Sequence, residues 1–417
     1  MSDRAPLRKD QEARILPEGW RSLLLETVAR RKSGHTPDKE SPAYWNGGIK
    51  WVSLADSSRL DKGLIYETNK EISEEGIKNS SAVLLPEGTV VLSRDAGVGK
   101  SGVLASSMAV SQHFIAWDCS KSKDIHNWYL YHWLQRRKPE FERVAVGSTI
   151  KTIGLPYFKK LAITAPSIWE QERIAEILTT WDSAIATSEL LLSNSKKQKK
   201  ALIEQFVRRS DGWKSERLDE IATRVQRASD GSDNPVLMIS AATGFIPQSE
   251  MYSRFMAGKS LESYILLQQG EFAYNKGNSK TYEFGCIYPL DGFKQGLVPH
   301  VYICFVMDER ACFRPFYKYL FESDYLHDQL GSLVNTGVRN NGLLNIRPTD
   351  FMSMTVPVPP MSEQKRIADI LDTASATVRE LELSIERLKV EKAALMQQLL
   401  TGKRRVRVPL PTEAQPA

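Results

Sequence analysis

Trp169-Glu170-Gln171-Glu172-Arg173-Ile174-Ala175-Glu176-Ile177-Leu178 opens a long helical stretch, and it occurs twice. Near the C-terminus the chain reads Ser362-Glu363-Gln364-Lys365-Arg366-Ile367-Ala368-Asp369-Ile370-Leu371, a shift from 170 to 363, or 193 positions. The same shift, with no gap, carries Ile185 onto Val378, Leu192 onto Ile385, Lys199 onto Lys392, Ala201-Leu202 onto Ala394-Leu395 and Gln205 onto Gln398. In the second copy Ile367, Leu371, Ala374, Val378, Leu381, Ile385, Leu388, Lys392, Leu395 and Leu399 step by four and three, the apolar seam of a coiled coil. The first copy has Ile174, Leu178, Trp181, Ile185, Ser188, Leu192, Ser195, Lys199, Leu202 and Phe206 at those places, a more interrupted seam. Ser167 with Glu170 predicts a capping box behind Pro166, while the second helix is expected to start on Ser362 behind Pro360. Neither helix can bury its stripe alone. The economical solution packs the two on each other, antiparallel; the alternative is two unrelated amphipathic helices, each lying on its own domain.

The repeat extends beyond the helices. Pro17-Glu18-Gly19-Trp20-Arg21 and Ser210-Asp211-Gly212-Trp213-Lys214 are again 193 apart, and Leu25-Glu26-Thr27-Val28-Ala29 falls on Leu218-Asp219-Glu220-Ile221-Ala222. Just before the helices, Leu161-Ala162-Ile163-Thr164-Ala165-Pro166 falls on Met354-Thr355-Val356-Pro357-Val358-Pro359, two alternations of strand type. The chain therefore reads as a tandem pair with a pseudo-twofold axis, each half a globule of mixed helix and strand followed by a long helix. The expected borders are a tail at 1–16, a first globule at 17–165, a central helix at 166–209, a second globule at 210–358, a C-terminal helix at 359–405 and a tail at 406–417. The fold class is α+β.

With 417 residues and 41% hydrophobic content the chain can build two or more cores, and a formal charge of +6 is compatible with nucleic acid without being diagnostic of it. The first residues are polar and charged, so no secretory signal is expected, and no apolar run approaches transmembrane length. Cys119, Cys286, Cys304 and Cys312 form no CxxC pair, which fits buried or free thiols of a cytoplasmic protein and no metal site.

Between the matching borders the two globules diverge. The first holds Tyr44-Trp45 to Trp51 and the run Arg94-Asp95-Ala96-Gly97-Val98-Gly99-Lys100-Ser101; the second holds Tyr274-Asn275-Lys276-Gly277-Asn278-Ser279-Lys280. Both runs read as a strand entering a loop with glycine and lysine, but with different residues. Aromatic helical runs, Trp128 to Leu134 and Phe316 to Phe321, read as core rather than as base-stacking surface, and each globule has a further polar loop, 147–154 or 336–342. Gly99-Lys100-Ser101 imitates the end of a phosphate-binding loop, yet the position five before Gly99 is Arg94, not the glycine the cradle needs. A tight turn at Gly97 and Gly99 that presents Arg94 and Lys100 is the better expectation. No methyltransferase motif, glycine-rich cofactor fingerprint or nuclease carboxylate cluster is visible.

Two divergent globules alternating with two similar helices, each introduced by a Pro-x-x-x-Glu-Gln-x-Arg-Ile-Ala-type opening, resembles the DNA-specificity subunit of type I restriction-modification systems. The resemblance runs from about Pro17 to Arg405. It implies a non-catalytic subunit with two target recognition domains, each reading one half of a split double-stranded DNA target, and helices that set the spacer. It also implies docking of two methyltransferase subunits and of restriction (motor) subunits, which carry S-adenosylmethionine, ATP and magnesium; this chain would hold no cofactor. Candidate DNA contacts are Arg94, Lys100, Ser101, Ser148, Thr149 and Lys151 in the first globule. In the second they are Asn275, Lys276, Asn278, Lys280, Arg339, Asn340 and Asn341. Candidate docking residues on the helix openings are Glu170, Gln171, Arg173, Glu363, Gln364 and Arg366. A stand-alone DNA-binding regulator and a coiled-coil scaffold remain as alternatives.

Overall fold

The computed structural model describes residues 16–208, 212–251, 261–277, 279–334 and 344–406. They divide into two compact units, cut not at the borders of the repeat but through the middle of both long helices. The first unit combines the chain up to Glu189 with the chain from Leu383 onward; the second runs from Leu190 to Glu382.

In each unit a short antiparallel strand pair joins the entry of the globule to its exit. Arg21–Leu24 pairs with Ala162–Ala165 from Arg21↔Ala165 to Leu24↔Ala162, and Lys214–Arg217 pairs with Thr355–Val358 from Lys214↔Val358 to Arg217↔Thr355. Every pair in the second set lies 193 positions beyond its counterpart, so the sequence repeat is reproduced as strand register. The main sheet repeats too. In the first unit its order is Arg30–Ser33, Phe114–Asp118, Val90–Ser93, Ser101–Leu104 and Leu64–Ile65, antiparallel except for the last pair. In the second unit it is Ala222–Val225, Ile303–Met307, Phe272–Asn275 and Cys286–Pro289, all antiparallel.

The aromatic helices supply the cores. Tyr129, Leu130, Tyr131, Trp133 and Leu134 of Asn127–Val144 are buried with Trp117 and Phe158, while Phe316, Tyr317, Tyr319, Leu320 and Phe321 of Arg314–Glu322 are buried with Phe272 and Phe305. These rings are therefore core, as their spacing predicts. All four cysteines are free and buried.

The central helix runs Ile168–Ile203 and continues as a π-helical turn, Glu204–Arg208; the C-terminal helix runs Met361–Leu399. All twenty seam positions named above are shielded to some degree, and Ile174, Leu178, Ile367, Leu371, Ile385 and Leu399 are fully buried. Antiparallel packing is legible within the first unit, where Glu170 meets Arg405, Asp182 meets Lys392 and Glu189 meets Lys389: one series of numbers rises while the other falls. In the second unit Lys196 meets Glu382 at 2.6 Å, and Tyr319 donates to Asp372 at 2.5 Å. Helix starts differ from expectation. The Ser167 hydroxyl accepts from Glu170 N at 3.4 Å, but the Glu170 carboxylate turns away to Arg405, so only half of a capping box forms; the second helix begins at Met361, not Ser362.

One titratable group is buried where the first unit's globule meets its helices. His132 is fully buried, its Nε2 3.1 Å from the Thr179 hydroxyl, and its Nδ1 lies 3.8 Å from Asp182, outside hydrogen-bond reach of a carboxylate already held by Lys392. Burial, and next the nearby Lys392 charge, push its pKa down to about 3 from 6.5, so the ring is neutral. A histidine whose folded pKa is depressed contributes stability that is complete above its unfolded pKa and is lost as pH falls towards the folded value. Unfolding should therefore cost less at pH 5 than at pH 6.5, by up to about 1.4 kcal/mol per pH unit from this proton. Urea titrations at the two pH values check it: His132→Gln should flatten the slope, and an unchanged slope would mean the ring is charged in the folded chain.

Candidate nucleic-acid interface

The loops singled out in the sequence follow equivalent strands, the third in each main sheet. In the first unit, residues 94–100 join Val90–Ser93 to Ser101–Leu104, and the loop is closed by Ser93 N to Lys100 O (2.8 Å) and Gly99 N to Ser93 O (3.0 Å). Gly97 and Gly99 take φ of 102° and 86°, the left-handed region that a side chain disfavours, so the tight turn forms as expected. A second loop leans on the first. Val146 and Thr152 exchange backbone hydrogen bonds of 3.0 and 2.9 Å at its base, Ile153 N donates to Arg94 O (2.9 Å), and Ala96 N donates to Lys151 O (3.3 Å). Two stretches more than fifty residues apart in sequence thus become one tip.

The side chains at that tip sort differently from the sequence expectation. Ser148, Thr149 and Lys151 are exposed, with no side-chain partner among the described residues, and Val146 and Ile150 beside them are exposed apolar groups that sequence reading did not single out. Lys100 is not presented: its Nζ donates back to the Ser57 hydroxyl (2.9 Å) and carbonyl (3.2 Å). The Arg94 side chain is 19% exposed, its Nε 3.6 Å from Asp95, which also holds His113 at 2.8 Å. Ser101 must be corrected outright. It is a fully buried strand residue whose hydroxyl accepts from Gln135 (2.7 Å), because the strand has already begun where the glycine turn ends.

In the second unit the loop after Phe272–Asn275 is built on the same plan. The Asn275 amide oxygen accepts from Gly277 N (3.0 Å), a local turn, and its amide nitrogen lies 3.4 Å from Ile239 O. Lys276 donates to Ile346 O at 2.7 Å, and Leu344 N donates to Lys276 O at 3.1 Å, so this loop also rests on the segment that follows the aromatic helix. Lys280 is exposed. Asn278, Arg339, Asn340 and Asn341 lie outside the described residues.

The helix openings carry the clearest repeated chemistry. Gln171 is fully buried; its amide nitrogen donates to Asp124 O (2.8 Å) and Pro166 O (3.0 Å), while its amide oxygen accepts from His126 N (3.0 Å). Gln364 is equally buried and donates to Ala311 O and Pro359 O (both 2.8 Å) while accepting from Phe313 N (2.7 Å). His126 and Phe313 are the residues just before the aromatic helices. Each glutamine therefore clasps a long helix to the start of the aromatic helix of its own unit, which is why only an amide, donor and acceptor at once, serves there. Glu170 is also buried and receives both arms of the Arg405 guanidinium at 2.8 Å. Gln171, Gln364 and Glu170 thus have internal roles, a correction to their reading as docking residues. Arg173 pairs with Glu176 at 2.6 Å, and Arg366 with Glu363 at 2.7 Å; both arginines stay about half exposed on the helix surface.

Two units that share an entry–exit strand pair, the order of four main-sheet strands and a glutamine-clasped aromatic helix, but carry different tip loops, define a duplicated binding protein. The family described as "Type I restriction modification DNA specificity domain" matches residues 17–194 and 310–389. The chain belongs to that family, whose members are recognition subunits and not catalytic ones. It is similar to the type I restriction enzyme MjaIX specificity subunit of Methanocaldococcus jannaschii, 24% identical over 46% of this chain but only 43% of the relative. It is also similar to the MjaVIII specificity subunit of the same organism, 22% identical over 96% of both chains. Its fold is that of the crystal structure of a type I restriction-modification system S subunit from M. genitalium, with TM-score 0.57, 13% identity, and coverage of 94% of this chain and 98% of the other. No helix among the described residues is long and apolar enough to cross a membrane.

Proposed function

We propose that this chain reads a bipartite duplex DNA target, one half with each unit, that its long helices set the spacer between the halves, and that two methyltransferase subunits and restriction motor subunits dock on it. S-adenosylmethionine, ATP and magnesium belong on those partners. The observation that carries the reading is the combination of an entry–exit strand register identical at a shift of 193 with tip loops that share a glycine and a lysine and otherwise differ, Arg94 to Ser101 against Tyr274 to Lys280. A scaffold held constant and a tip allowed to vary is what two different half-sites require. In the first unit, exposed Ser148 and Thr149 can donate to or accept from base edges, Val146 and Ile150 can meet a thymine methyl, and Lys151 suits phosphate. Arg94 and Lys100 reach DNA only by leaving Asp95 and Ser57, so they fit a second step, after the tip has seated. In the second unit Lys280 is the exposed cation of the hairpin loop.

Methylome sequencing of a host carrying the chain and its methyltransferase partner tests the reading. The expected outcome is methylation at a single split motif, two short specified halves around unspecified bases. A stand-alone regulator or a scaffold would leave the methylome unchanged, and either result would overturn the proposal.

A further inference from the structure

The first unit contains a cavity of about 470 Å³ that shares only His113 with the hairpin contacts above. We propose that it is a nucleotide-binding pocket, taking a planar nucleobase against its tryptophans and the attached phosphate on its lysines. Strand Trp45–Val52 provides the apolar wall: the Trp45 and Trp51 rings meet edge to face, centroids 5.3 Å apart at 86°. Both indole N–H groups are already spent on backbone, Trp45 on Asp38 O and Trp51 on His35 O, each at 3.0 Å. Trp51 is buried behind Trp45, so what the wall offers a ligand is the part-exposed π surface of Trp45, which a planar aromatic group satisfies best.

The polar side of the cavity is cationic. Lys39 and Lys70 line it, no carboxylate does, and neither lysine has an ion-pair partner among the described residues; the Lys70 ammonium sits 5.4 Å from the centroid of the Trp45 ring. Deeper in, Ser111 is fully buried with a hydroxyl that meets no partner, a polar atom that costs free energy until something bonds to it. Beside it the exposed Gln112 lines the cavity, its amide oxygen accepting from the Thr36 hydroxyl at 2.6 Å, which leaves its two N–H donors without a protein partner among the described residues. A bare phosphate would leave the indoles idle, and an uncharged sugar would leave the lysines idle. A base joined to a phosphate uses both, and the volume lies within the usual range for small-molecule sites.

Two sources present this chemistry, a free mononucleotide or a nucleotide swung out of DNA. The cavity adjoins the recognition hairpin, because His113, which lines it, accepts Arg94 N on its carbonyl at 2.9 Å. The inference rests on the cavity residues alone and stands whether or not the chain reads a split target.

The test titrates the full chain with the four deoxynucleoside 5′-monophosphates by calorimetry, with the matching nucleosides and inorganic phosphate as partial ligands. A second arm follows the fluorescence of a duplex carrying one mismatched 2-aminopurine, at saturating chain, since a base taken out of the stack brightens. At least one arm should respond: saturable mononucleotide binding at least tenfold tighter than either partial ligand, or a brightened 2-aminopurine. The Lys39→Ala/Lys70→Ala double variant, at two exposed positions, should weaken either response at least tenfold, and Trp45→Leu should do likewise. Response in the first arm alone assigns free nucleotide, and in the second alone an extrahelical one. No response in either arm, or one that both variants leave unchanged, overturns the proposal.

Discussion

Gln171→Ala should destabilise the first unit by about 2 to 4 kcal/mol, and Gln364→Ala should do the same to the second. Each substitution strands two backbone carbonyls and one N–H at a site that is buried on the proline side and half-buried on the other, and every buried polar group left unpaired costs about 1 to 3 kcal/mol, less whatever water enters. Gln→Glu should be worse than Gln→Ala at neutral pH, because it sets a carboxylate against two carbonyl oxygens and buries a charge. The glutamines belong to different units and share no partner, so the two losses should add in the double variant. Equilibrium urea unfolding measures this directly. It also separates the two roles available to the motif: a docking residue would lose partner binding at unchanged stability, whereas a clasp loses stability first.

A heptad inserted after Ile185, with a second after Val390, should keep both half-sites and lengthen the unspecified spacer by one to three base pairs. The pairs Asp182–Lys392 and Glu189–Lys389 place Ile185 opposite the neighbourhood of Val390, so both helices grow at one level and every contact on the first unit's side of it is retained. Val378, which matches Ile185 in the repeat, would be the wrong counterpart: antiparallel pairing, not repeat position, decides what lies opposite. Seven residues keep the apolar seam in phase to within about 20° and add roughly 10.5 Å, at most about three base pairs. The second half-site would also turn around the duplex, so binding should weaken as DNA twist absorbs the difference. The spacer is read from the methylome of cells carrying the lengthened chain. An unchanged spacer at full activity would show that the helices do not set the distance.

The parts of the molecule legible in the sequence are those that repeat. The seam from Ile367 to Leu399 shows as a period, and the entry and exit strands show because Arg21 and Lys214, or Ala165 and Val358, sit at one shift. What was not legible depends on contacts between distant stretches. A lysine after two glycines looks presented to solvent, but nothing in its neighbourhood says that Ser57 waits for it. Ser101 continues a loop by composition and begins a buried strand in fact. Arg405 reads as the edge of a basic tail, yet it closes the buried Glu170, 235 positions earlier. The glutamine clasp left a trace that could have been followed: an uncharged amide at the same place in both repeats, five residues after a proline, Pro166 or Pro359, suits an internal fastening better than a docking surface. Exposure of Val146 and Ile150 left none, since apolar residues are core by default.

The central claim is that the two units read independently. Replacing residues 17–165 by the matching globule of another specificity subunit, and sequencing the methylome of cells that carry the hybrid with its methyltransferase, tests it most directly. The account predicts that one half of the methylated motif changes while the other half and the spacer stay as they were; a hybrid that methylates with both halves altered, or with neither altered, would contradict it.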